Sequence, residues 1–213
     1  MKLFLSSYQI GNDPSAFVDL LGGRRRVALI MNAADPYGSE RRPYYLAKFI
    51  AEFKELGLEL EDFDLRNFYD SNASLGPELD LYDAIWASGG NTFALRWAMA
   101  KSGFDTWLPK AIAERDVVYA GFSAGACVIG PTLRGIHLAD DPEKVPSNEI
   151  KWDGLNLVNF CIAPHYRSDH PESPAIEKVV EYFQLHNMNY HALHDGEAIR
   201  VIGNKIEKVG RPN

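Results

Sequence analysis

This 213-residue chain predicts an α/β fold: a mostly parallel sheet with helices on both faces. Three observations carry the prediction. Short apolar runs alternate with stretches whose apolar residues fall at helical spacing. Glycine turns follow two of the runs, at Ser88-Gly89-Gly90 and at Gly121-Phe122-Ser123-Ala124-Gly125. No repeat, low-complexity tract or linker interrupts the alternation. Such a sequence builds parallel strands joined by crossover helices, here expected as one domain over residues 1–213.

The elements follow in order. Lys2–Leu5 and Val27–Asn32 read as early strands. Glu40–Leu56 places Tyr45, Leu46, Phe49, Ile50, Phe53 and Leu56 on one side of a helix. Leu58–Leu65 alternates as a strand does, and Tyr82–Ala87 is a buried strand. Thr92–Ser102 and Asp105–Arg115 are expected helices, Asn91 or Thr92 supplying the cap of the first. Val117–Ala120 enters the second glycine turn, and a small-residue helical stretch leaves it. Thr132–Leu138 and a polar loop, Ala139–Asn148, come next. Leu157–Ala163 is an expected strand and Ser173–Leu185 a helix. Ala192–Ile202 and Lys205–Val209 are an expected closing pair of strands, and Asp195-Gly196 is a hairpin signal between apolar runs.

Composition excludes several classes. A net charge of −7 with no basic block except Arg24-Arg25-Arg26 argues against a nucleic-acid surface. No apolar run reaches membrane-spanning length, and Met1–Ser7 lacks the pattern of a signal peptide, so a reducing cytoplasm is the simplest expectation. Cys127 and Cys161 sit in apolar settings without a C-x-x-C partner, which predicts buried thiols rather than a disulfide or metal set. No cofactor and no metal are expected.

The chemistry concentrates at Gly121-Phe122-Ser123-Ala124-Gly125, a G-x-S-x-G turn between a β-branched run and a small-residue helix. Such a turn thrusts the serine hydroxyl out of the fold, with glycines where side chains would collide as the chain doubles back. It also sets Ser123 at a helix N-terminus, where free N–H groups favour negative charge. An ordinary tight turn is the alternative. In open α/β sheets ligands bind beyond the carboxyl ends of the strands, so three other segments reach the same rim. Ser88-Gly89-Gly90-Asn91 follows a strand, and its Gly90 N–H could join that of Ala124 as an oxyanion donor. Pro164-His165 ends another apolar run and offers an imidazole as general base. His194-Asp195-Gly196-Glu197 offers a carboxylate to orient that ring: Asp195 first, Glu197 in reserve, with Asp140 and Asp141 after the elbow as further candidates.

Together G-F-S-A-G-A, S-G-G-N-T-F and N-F-C-I-A-P-H-Y resemble the peptidase E (aspartyl dipeptidase) family of serine peptidases, to which cyanophycinases are related. The resemblance runs from the strand at Tyr82 to the closing strands. It implies a class I glutamine amidotransferase-like fold, with serine where those enzymes carry cysteine. It also implies the chain order serine, histidine, acid, which Ser123, His165 and Asp195 satisfy. An α/β-hydrolase order, serine, acid, histidine, would be met with Asp140 instead. The chain departs from the family in three places, one of them the position after the elbow sometimes treated as an active-site aspartate, where Asp140 is the nearest match. Its acid is aspartate where members usually carry glutamate. The loop after the histidine, Arg167-Ser168-Asp169-His170-Pro171-Glu172, is short and acidic, with Arg167 its only cation. The expected activity is hydrolysis of a short peptide, as by a dipeptidase, through an acyl-serine. An esterase or amidase with the same residues, and a silent binding module on this scaffold, are the alternatives.

Overall fold

The computed structural model describes residues 1–69, 74–145 and 149–213. The last three residues of the expected loop Ala139–Asn148 lie outside them. Strands β1 (Lys2–Ser6), β2 (Arg26–Ile30), β3 (Glu59–Asp62), β4 (Ala84–Ala87) and β5 (Val118–Phe122) form the parallel part of a seven-stranded sheet. Strands β6 (Cys161–Ala163) and β7 (Tyr190–Ala192) form a separate parallel pair. Strands β8 (Glu197–Ile202) and β9 (Lys205–Gly210) return to the main sheet as antiparallel partners, giving the order β3-β2-β4-β5-β1-β8-β9.

Both faces of the central strands are buried, because successive side chains point to opposite sides and both positions are apolar. Val27, Leu29, Ala84, Trp86, Val118 and Ala120 face one core. Their neighbours Ala28, Ile30, Ile85, Ala87 and Tyr119 face the other. Helices α1 (Ser15–Leu21) and α2 (Arg42–Glu55) cover the first face through Phe17, Leu20, Phe49 and Phe53. Helices α3 (Leu75–Leu79), α4 (Thr92–Ser102) and α5 (Phe104–Arg115) cover the second through Leu79, Leu95, Met99 and Leu108. Each fully buried side chain of this size stabilises the fold by about 1.5–3 kcal/mol. The fold class is therefore the one the alternation predicts. Helix α6 (Ala124–Cys127) follows the elbow, and α7 (Ser173–Leu185) packs Ile176, Val179 and Phe183 against the small sheet.

Several expectations are corrected. Helices α1 and α3, of seven and five residues, were not anticipated; neither has a side-chain hydrogen bond capping its start. The strand expected over Leu157–Ala163 is only Cys161–Ala163, because the N–H groups of Leu155, Asn156 and Leu157 are taken by the carbonyls of Val128, Gly130 and Ile129. Asp195-Gly196 is not a hairpin turn. The run before it pairs with β6 and the run after it with β1 and β9, while the expected closing pair turns at Gly203-Asn204. The small-residue helix after the elbow spans only four residues.

Candidate active site

Strand β5 is buried along its whole length and ends directly at Ser123. There the backbone turns through φ 49° and ψ −115°, outside the regions ordinary residues favour. A conformation of this kind costs about 1–3 kcal/mol and persists only where its surroundings enforce it. The enforcement is visible. The Ser123 N–H donates to the carbonyls of Ser6 and Ser7 at 3.1 and 3.2 Å, while the Ser123 carbonyl accepts from Ala126 and Cys127. The two glycines of the motif have a steric reason. A Cβ on Gly121 would lie 2.8 Å from the Ala87 carbonyl oxygen, and one on Gly125 only 2.2 Å. The elbow thus presses against the end of β4, and only glycine permits the approach.

Gly90, after β4, is held at φ 139°, and a Cβ there would stand 2.4 Å from the Ala33 carbonyl oxygen. Neither the Gly90 nor the Ala124 N–H donates a hydrogen bond among the described residues. Asn91 caps α4, its side chain accepting from the Ala94 N–H at 2.9 Å.

His165 lies two residues beyond β6 and is 1% exposed. Its Nδ1 is 2.7 Å from Asp195 Oδ1. A carboxylate only accepts, so Nδ1 carries the hydrogen and Nε2 of the neutral ring keeps its lone pair. Burial would raise the Asp195 carboxyl, but hydrogen bonds from His165 and Ser7 outweigh it and hold the group below its usual range. Asp195 also anchors its own loop, its N–H donating to Ser168 Oγ at 2.8 Å. Ser123 and His165 line the same cavity, of about 460 Å³, with Gly90 in its wall. That volume suits a small organic ligand.

The reserve carboxylates go elsewhere. Asp140 Oδ2 accepts from the N–H and hydroxyl of Thr92, at 2.8 and 2.5 Å, at the start of α4. Glu197 accepts from the His194 N–H and from Lys208 Nζ. Both cysteines are buried, and burial pushes their thiols up, Cys161 to about 11. Arg167 lies outside the cavity, its guanidinium over the Tyr166 ring. Cations reach the cavity from α2 and its approach instead. Arg41 and Lys48 line it, and so does Arg42, which is paired with Asp62 at 2.7 Å.

Sequence reasoning missed Ser7. Its hydroxyl accepts from the His165 N–H at 2.7 Å and donates to Asp195 Oδ1 at 2.8 Å, joining the two residues a second time. The available signal was its position, the first residue past the carboxyl end of a central strand. His170 was also missed. Its ring stacks on that of His165 at 3.7 Å between centroids and 12° between planes.

Comparisons with known proteins place the chain in a family. The model of Peptidase family S51 matches residues 10–209. The chain is 30% identical over 158 residues to an uncharacterized peptidase of Listeria innocua, covering 74% of this chain and 73% of that one. It is 29% identical over 175 residues to peptidase E of Streptomyces coelicolor, 80% and 67% of the two chains. A 1.5 Å crystal structure of a candidate peptidase E from Listeria monocytogenes superposes with a TM-score of 0.81 at 28% identity, covering 99% of this chain and 98% of that one.

Proposed function

Since this chain belongs to peptidase family S51 and is a serine-type peptidase, we propose that it hydrolyses short peptides, as a dipeptidase, with Ser123, His165 and Asp195 as the reacting triad. The observation that carries the reading is the buried Nδ1–Oδ1 bond of His165 and Asp195 beside the cavity that holds Ser123. That bond fixes the tautomer in which Nε2 can take a proton.

In the proposed reaction His165 Nε2 takes the Ser123 Oγ proton as Oγ bonds to the peptide carbonyl carbon. The carbonyl oxygen gains the negative charge, and the N–H groups of Gly90 and Ala124, which donate to no described residue, receive it. Such donors are worth about 3–4 kcal/mol each in comparable sites. The imidazolium, stabilised by ionised Asp195, returns the proton to the leaving amine as the C–N bond breaks. Water then attacks the acyl-serine by the same route in reverse. Arg41 and Lys48 offer positive charge for the free carboxylate of a short peptide.

The test is a panel of dipeptides, longer peptides and acyl esters, run beside labelling by a fluorophosphonate. Labelling that disappears in Ser123→Ala, with dipeptides as the best substrates, is the expected result. Labelling that survives in Ser123→Ala overturns the nucleophile. Turnover of esters alone overturns the dipeptidase reading.

A further inference from the structure

Beside the proposed triad lie two groups that the reaction does not use, His170 and Glu172, both close to His165. His165, His170 and Glu172 each present one donor atom, all within 4.8 Å of one another. Two imidazoles and a carboxylate are donors that suit zinc and its neighbours rather than magnesium or calcium. We propose that these three side chains form an inhibitory zinc site across the mouth of the active site.

Three features support it. First, Asp195 already engages Nδ1 of His165, leaving Nε2 as the free donor. Metal-bound histidines ordinarily donate the other ring N–H to a carboxylate in this way, which fixes the ring and raises its basicity. Second, His170 stacks on His165 at 3.7 Å, which keeps the two rings adjacent while their in-plane lone pairs run parallel, so the His170 ring must turn to share an ion. Third, the two outer ligands are less buried than His165, although His170 Nδ1 accepts from the Glu172 N–H at 3.3 Å. The His170 and Glu172 side chains are 23% and 44% exposed, and the two residues flank Pro171 in the turn before α7. Zinc bonds of about 2.0–2.2 Å in a tetrahedron need donors roughly 3.4 Å apart. The proposed site therefore requires rotation of the His170 and Glu172 side chains about buried His165. Water or a substrate atom takes the fourth position.

Zinc held there occupies the Nε2 lone pair that would take the Ser123 proton, so the ion and the reaction exclude one another. This inhibitory consequence rests on His165 acting as the base; the binding does not.

The experiment titrates zinc ion, with magnesium as control, into the protein by calorimetry, and into fluorophosphonate labelling and peptide hydrolysis. The expected result is one zinc site, no magnesium binding, and zinc-dependent loss of labelling and hydrolysis that a chelator reverses. His170→Gln and Glu172→Gln, each read against its own metal-free activity, weaken zinc by more than about tenfold. Ser123→Ala binds zinc as the native chain does, which tests the site even if the serine is not the nucleophile. Thermal unfolding verifies that His170→Gln is folded, and Glu172→Gln, altered at a half-exposed side chain, is the second probe. Absence of zinc binding, or zinc affinity unchanged in both variants, overturns the site. Binding without loss of labelling overturns its inhibitory role.

Discussion

Ser7 and Asp195, 188 positions apart in sequence, meet at 2.8 Å, and the same Ser7 oxygen receives the His165 N–H at 2.7 Å. One hydroxyl thereby ties the end of β1 to both partners of the proposed charge pair. Ser7→Ala leaves the His165 N–H buried without a partner, at a cost of about 1–3 kcal/mol. The expected outcome is a lower unfolding temperature and a kcat reduced about tenfold, with KM little changed. Calorimetry and steady-state kinetics check it; native kcat in the variant would make Ser7 structural only.

The backbone at Ser123 predicts a dissociation of stability from activity. Glycine adopts φ 49° without the steric cost that serine bears. Ser123→Gly is therefore expected to unfold about 1 kcal/mol later than the native protein while hydrolysing nothing. Ser123→Ala, equally inactive, gains no such stability. Urea unfolding of the three proteins decides the matter.

Two aspartates should respond in opposite ways to loss of charge. Asp195→Asn removes the acceptor that fixes the His165 tautomer, and kcat should fall about 1,000-fold or more with KM nearly constant. Asp140→Asn should leave hydrolysis within a few-fold of native, because Asp140 serves Thr92. A collapse of kcat in Asp140→Asn alone would reassign the acid.

Asp140 also carries a pH signature. Burial raises its carboxyl to about 6, against the lowering by its Thr92 bonds. Between about 4 and 6 the folded chain thus holds a proton that the unfolded chain releases. Stability from this group falls as pH rises through that window, by an amount on the order of 3 kcal/mol. Asp140→Asn removes the contribution, so the native-minus-variant difference in unfolding free energy should decline from pH 4 to pH 6. A flat difference would contradict the burial argument.

At Gly125 the prediction is steric. A Cβ 2.2 Å from the Ala87 carbonyl must push the elbow off β4. Gly125→Ala should cost about 3 kcal/mol and abolish labelling of Ser123. By contrast, Gly22→Ala meets no atom within 4 Å and carries only its φ 59° backbone penalty. Chemical denaturation of both variants separates the two costs.

Legibility in the sequence followed the range of the interactions. The G-x-S-x-G turn and the strand ends at Ala87 and Ala163 were readable because local chemistry dictates them. The pairing of Asp195 with His165 was reached from rim position and from family resemblance. What escaped depends on distant partners. The start of the expected strand at Leu157 was taken by a carbonyl near Gly130, and the Asp195-Gly196 turn lost its hairpin because β6 claimed the strand before it. Ser7 escaped because a serine in a Ser-Ser-Tyr segment carries no local signal of the two residues it joins.

The seven-stranded sheet presents the hydroxyl of Ser123, whereas the imidazole of His165 rides on the β6–β7 pair, and the two ladders share no strand. The proposed reacting groups thus sit on separate rafts joined at the site through Ser7, so a shift at that joint can part them while every rung on either side survives. Catalytic competence in such an arrangement is more fragile than secondary structure, and substitutions along the seam between the rafts would tune turnover without touching a reacting atom.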